Sequence, residues 1–114
     1  MRTRLQVALF TSLLLLGGCA EKEKERPPLT PSQLRGQKLY NASCLVCHRT
    51  DSVEGKNGPG LKGMYERKFL TSGLPANDER VEEIIRRGRR SMPGYDKMYS
   101  DEQIKDLIAY LRSL

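Results

Sequence analysis

Two thiols separated by two residues, and followed at once by an imidazole, stand at Cys44-Leu45-Val46-Cys47-His48. Thiols at that spacing can add across the two vinyl groups of a haem to form thioethers, and the adjacent histidine can then offer a ring nitrogen to the iron. His48 is the single histidine among 114 residues, so the chain has no second imidazole to place on the opposite face of the iron.

The sixth ligand must therefore be of another kind. Methionine is the usual partner of histidine in high-potential haems, and Met64, Met92 and Met98 are available once Met1 is lost. Met92 is the favoured one. Pro93 biases its backbone toward extended conformations, and the run Ser91-Met92-Pro93-Gly94-Tyr95 reads as a loop from which a thioether can project inward. Met98 stands second, and filling a core remains the ordinary use of a methionine.

Other chemistries fit the motif less well. A structural zinc site needs four protein ligands, and no second ligand pair follows Cys47 and His48. A thioredoxin-like redox pair sits beside a βαβ pattern, and no strand alternation appears in this chain. A disulfide between Cys44 and Cys47 would close too short a loop to stabilise much. A chance pentapeptide is the remaining alternative, and the N-terminus bears on it.

Arg2 and Arg4 precede an apolar run from Leu5 to Leu16, the layout of a secretory leader and too short to span a bilayer. The run ends in Leu16-Gly17-Gly18-Cys19, which resembles the lipobox of bacterial lipoproteins, although Gly17 stands where a larger residue is more usual. That resemblance implies a leader over residues 1–18, lipidation of Cys19, and anchoring by acyl chains at about 0.8 kcal/mol per buried methylene. The alternative is an ordinary signal peptide with an incidental cysteine. Export favours the haem reading over chance, because covalent haem is attached on the outer side of the membrane in the organisms such a lipobox implies. Residues 19–29 alternate charge from Glu21 to Arg26 and meet Pro27-Pro28, a tether with nothing to bury. The folded unit is expected over residues 30–114.

About 85 residues with no tryptophan make a small core that needs a staple. The elements that must position the motif are helical. Thr30-Pro31-Ser32-Gln33 carries a capping box with proline at the first helical position, predicting a helix to about Ser43 with Gly36, Leu39, Tyr40 and Ser43 on one face. His48 to about Lys68 reads as loop with one short helix around Lys62 to Arg67. Asn77 caps a helix from Asp78 to Arg87 that Gly88 stops, with Val81, Ile84 and Ile85 as its apolar stripe. Ser100 and Gln103 open the last helix, where Ile104, Leu107, Ile108 and Leu111 repeat at helical spacing.

With these residues in view, residues 30–114 resemble the class I cytochrome c family in its compact bacterial form. The resemblance implies an all-α fold, three to four helices wrapped around one covalent haem c, with the N- and C-terminal helices crossing. In the family a glycine and an aromatic just before the haem motif pack against an aromatic of the last helix, and Gly36, Tyr40 and Tyr110 match. Gly58-Pro59-Gly60-Leu61 is similar to the loop whose proline carbonyl accepts the axial histidine's second N–H, which would make Pro59 the orienter of His48. Arg67 falls where relatives place an arginine near a haem propionate, while the tryptophan many of them use there is missing.

The function implied is one-electron transfer by a membrane-anchored carrier, on the periplasmic or cell-surface side of a bacterial membrane, with no catalysis, small-molecule substrate or nucleic acid involved. A dedicated haem subunit of a larger oxidase or dehydrogenase is the alternative. A peroxidase-like or gas-binding protein would need an open iron site, and no distal histidine exists for one. The chain carries 20 Lys and Arg against 14 Asp and Glu. Arg86, Arg87, Arg89 and Arg90 crowd ahead of Met92, either as a solvated helix end or as a patch docking an acidic redox partner.

Overall fold

The computed structural model describes residues 26–114, and the leader and Cys19 lie outside them. Helix α1, Pro31–Ser43, starts where the capping box places it. Thr30 N–H donates to Gln33 Oε1 at 2.8 Å and Gln33 N–H to Thr30 Oγ1 at 3.3 Å, satisfying two donors that the first turn would otherwise orphan. Helix α2, Asp78–Arg87, has the Asn77 side chain accepting from Arg80 N–H and ends at Gly88. Helix α3, Asp101–Leu111, repeats the capping box with Ser100 and Gln103. Between α1 and α2 the expected short helix is a single 3₁₀ turn, Met64–Glu66. Among the described residues no strand forms, and pairing is limited to the bridges Phe69–Pro75 and Arg89–Met92. This is an all-α architecture of three helices, as the family resemblance implies.

The core lies where α1 crosses α3. Tyr40, Ile104 and Leu107 are the largest fully buried side chains, and the rings of Tyr40 and Tyr110 meet at 5.5 Å, tilted by 57°. Gly36 makes the approach possible: a Cβ there would lie 2.0 Å from the carbonyl oxygen of Asp106. Of the expected α2 stripe, Val81 and Ile85 are buried and Ile84 is half-buried.

One carboxylate fastens this crossing. Asp106, 5 % exposed, receives Arg35 through Nε at 2.6 Å and Nη2 at 2.9 Å, and Ser32 Oγ at 2.5 Å. The Arg35 guanidinium, and after it the Ser32 hydroxyl, hold the Asp106 carboxyl below the usual carboxylate range. A depressed folded-state pKa means that the contribution is complete above the unfolded value of about 3.9 and is lost as pH falls through the lower folded value. Urea midpoints measured from pH 6 downward are expected to drop more steeply below pH 4 in the wild-type chain than in Asp106→Asn. Parallel curves would show that the carboxylate contributes nothing pH-dependent.

Candidate haem-binding site

The motif sits on the turn that leaves α1. Cys47 N–H and His48 N–H both donate to the Cys44 carbonyl, at 3.1 and 2.9 Å, so the two cysteines and the histidine occupy one closed turn. Both thiols are free and half-buried. Burial, and secondarily the neighbouring Cys47, pushes the Cys44 thiol up to about 11. Among the described residues no three His, Cys, Asp or Glu side chains gather closely enough to hold a bare metal ion. A haem would ask something different of these side chains, since the thioethers would form at the edge of the macrocycle while the imidazole would meet its centre.

His48 is buried, 9 % exposed, and its ring is held on two sides. Nδ1 lies 2.8 Å from the Pro59 carbonyl oxygen. A carbonyl only accepts, so Nδ1 carries the proton and Nε2 keeps its lone pair free for a metal. Gly58 lies flat against the imidazole, where a Cβ would come within 2.5 Å of His48 Cε1. The His48 carbonyl accepts from Tyr40 Oη at 2.9 Å, which joins the turn to the core. Burial drives the Tyr40 phenol up to about 12, keeping it a donor. The hydrogen bond of His48 to Pro59 is the one the sequence reading anticipated, whereas Gly58 as the platform for the ring and Tyr40 as a donor to the turn were not foreseen.

Met92 is half-buried on a reverse turn after α2, where Arg89 N–H and Met92 N–H each bond the other's carbonyl, at 3.1 and 3.0 Å. Met98, the runner-up, is 65 % exposed, and Met64 belongs to the core beside Leu61. The turn is pinned to α2 by Tyr95 N–H to the Ile85 carbonyl at 2.9 Å and Asp96 N–H to the Arg86 carbonyl at 3.2 Å. Arg67 does not reach toward this region; its Nη2 donates to the Lys62 carbonyl at 2.6 Å.

Arg86 behaves unlike its neighbours. It bonds Glu82 at 2.8 Å, Asp96 at 3.0 Å and Asp101 at 2.9 Å, tying α2, the methionine turn and the start of α3 together. These carboxylates, Glu82 first, raise the guanidinium pKa further above its ordinary value. It is a staple and not a free docking cation. Arg87 is 80 % exposed with Glu83 at 3.8 Å, and Arg89 and Arg90 are exposed with no ion pair among the described residues. A chain-local charge count cannot tell these arginines apart, since two of Arg86's three carboxylates come from beyond α2.

The donors therefore fit haem: an imidazole with Nε2 free, two unpaired thiols on the same turn, and a thioether on a pinned loop nearby in sequence to α2. A surface depression of about 480 Å³, lined by Leu29, Gln37, Thr50, Tyr110 and Leu114 among others, includes none of them. An all-α domain with this turn defines a c-type cytochrome. Comparison with known proteins makes the class specific: the family profile described as cytochrome c oxidase, cbb3-type, subunit III matches residues 31–111, and the chain belongs to this family of cytochrome c domains. Its cofactor is one covalent haem c.

Among relatives, the chain is similar to cytochrome c-551 of Bacillus subtilis, 31% identical over 82% of each chain. It is 35% identical to cytochrome c oxidase subunit 2 of Alkalihalophilus pseudofirmus over 81% of this chain, and the match spans only 28% of that relative's length. It is 34% identical to the cytochrome c subunit of 4-cresol dehydrogenase (hydroxylating) from Pseudomonas putida, over 69% of this chain and 59% of that one.

Proposed function

We propose that this cytochrome is a one-electron carrier held on the periplasmic or cell-surface side of a bacterial membrane by lipid on Cys19, with residues 1–18 removed and 19–29 as tether. Cys44 and Cys47 would hold the haem through thioethers, His48 through Nε2 and Met92 through Sδ would be the side chains that ligate its iron, Pro59 would orient His48, and Arg67 would serve the propionate side. The observation that carries this reading is the bond from His48 Nδ1 to the Pro59 carbonyl at 2.8 Å, which leaves Nε2 as the free ring nitrogen. When bound, the haem supplies a reversible one-electron couple. Ligation by both His48 and Met92 would leave no position for a substrate, and the chain's part would be burial, orientation and tuning of the potential.

Exposed Arg87, Arg89 and Arg90 beside the Met92 turn provide the field that steers an acidic redox partner. The double variant Arg89→Glu/Arg90→Glu is expected to slow electron transfer with an acidic partner about tenfold or more at low ionic strength, with the gap closing as salt is added. Stopped-flow rates across a salt series measure this. Rates that match the wild type at every salt concentration would remove the docking face and leave the haem ligands untouched.

A second reading, a permanent subunit of a larger complex, is favoured by the names of two relatives, an oxidase subunit and a dehydrogenase cytochrome subunit. Purification from detergent-solubilised membranes separates the readings. Co-elution with an oxidase or dehydrogenase supports the subunit, and elution alone supports the carrier.

A further inference from the structure

Two tyrosines one helical turn apart follow the methionine turn, and both meet the last residue of α1. Tyr95 Oη donates to the Ser43 carbonyl at 3.3 Å, and the Tyr99 hydroxyl bonds Ser43 Oγ. The two rings stack at 5.6 Å between centroids and 10° between planes, and their hydroxyls meet two different atoms of the same residue. Ser43 directly precedes Cys44. Among the described residues these are the only hydrogen bonds between residues 88–100, which carry Met92, and residues 31–60, which carry Cys44, Cys47 and His48. On its other side the methionine turn is bound to α2 and to Arg86, and neither of those contacts touches the haem-binding turn.

We propose that Ser43, Tyr95 and Tyr99 form a clasp that sets the spacing between the haem-binding turn and the Met92 turn, and so holds the methionine thioether at the sixth position of the iron. The three are positioning residues. They act through Met92 and do not touch the metal, and the proposal rests on Met92 being the axial ligand. A thioether is a weak ligand, so its occupancy depends on how closely the fold presents it against any competing donor. Opening the clasp frees the methionine turn to swing on its α2 attachment while α1 and α3 stay packed through Gly36, Tyr40 and Tyr110.

The test uses the full haem-loaded chain and exogenous imidazole as the competing ligand. Tyr95→Phe/Tyr99→Phe keeps both rings and removes only the hydroxyls. Ferric protein carrying it is expected to bind imidazole about tenfold more tightly, the size that losing two net hydrogen bonds gives, with a weakened methionine–iron charge-transfer band. Ser43→Ala, which removes the hydroxyl that meets Tyr99 and leaves the carbonyl for Tyr95, is expected to shift the affinity about threefold in the same direction. A merely structural role would lower the urea midpoint and leave imidazole affinity unchanged, and that pattern in both variants overturns the clasp. Met92→Ala, run alongside, separates the clasp from the assignment beneath it. If the band vanishes in Met92→Ala while the tyrosine variant binds imidazole as the wild type does, the clasp alone is wrong. If the band survives Met92→Ala, the ligand assignment fails and the clasp falls with it.

Discussion

Met92→Ala is expected to abolish the methionine–iron charge-transfer band at the red end of the visible spectrum, and to lower the reduction potential by on the order of 100–200 mV out of the roughly 0.8 V that axial ligands command. The direction follows from the thioether, which stabilises ferrous iron relative to ferric, so that a harder replacement such as water favours the oxidised state. Met98→Ala is the matched control. Met98 is 65 % exposed and lies beyond the turn that pins Met92, so its loss is expected to move the potential by no more than a few tens of millivolts. Optical spectra and voltammetry on both variants decide between them. A band that persists in Met92→Ala and disappears in Met98→Ala reverses the assignment.

The largest loss of stability is expected from Gly36→Val. A Cβ at this position would stand 2.0 Å from the Asp106 carbonyl oxygen and 2.9 Å from Tyr110 Cβ, and the first of these is helix backbone that cannot rotate away. Helix propensity runs the other way, since replacing a mid-helix glycine gains at most about 1 kcal/mol. Separating α1 from α3 by even an ångström strips Tyr40, Ile104 and Leu107 of contacts, at a cost of about 3–5 kcal/mol, which is a large share of the 5–15 kcal/mol typical of a domain. Packing wins, and the holo variant is expected to unfold at much lower denaturant than the wild type. Gly73→Ala supplies the comparison. There φ is +82° and nothing lies within 4 Å, so only a backbone penalty of about 1–2 kcal/mol applies. Equal midpoints for the two variants would show that the crossing is not tight at Gly36.

What the sequence disclosed, and what it withheld, divides by the range of the interactions. The capping boxes at Thr30 and Ser100 and the cap at Asn77 act between residues three apart, so the starts of the three helices among the described residues are visible in the chain itself. The cysteine–histidine turn is equally local, and the glycine–proline loop is legible through the family pattern, which sets Pro59 against His48. Long-range polar partners left no such trace. Asp106 lies off the Ile104, Leu107, Ile108 and Leu111 stripe of α3, where periodicity expects an outward residue, yet it is buried, and its partners Arg35 and Ser32 lie 71 and 74 residues earlier. Ser43 looked like one more residue on the inner face of α1, and nothing near it announces Tyr95 and Tyr99, 52 and 56 residues on. The Arg86–Arg90 cluster is legible only as charge, and the structure divides it, with Arg86 bound by three carboxylates, Arg87 exposed beside Glu83, and Arg89 and Arg90 exposed with no ion pair among the described residues.

Covalent attachment of haem through both Cys44 and Cys47 is the claim on which the rest depends. Exported chain purified with its cofactor should be extracted with acidified acetone, which removes haem held only by axial ligands, and then weighed by intact mass spectrometry with a pyridine haemochrome spectrum beside it. The expected result is one haem per chain surviving extraction, with the spectrum of a haem whose two vinyl groups are both saturated as thioethers. Haem lost into the acetone, or a spectrum with a vinyl group intact, would contradict it.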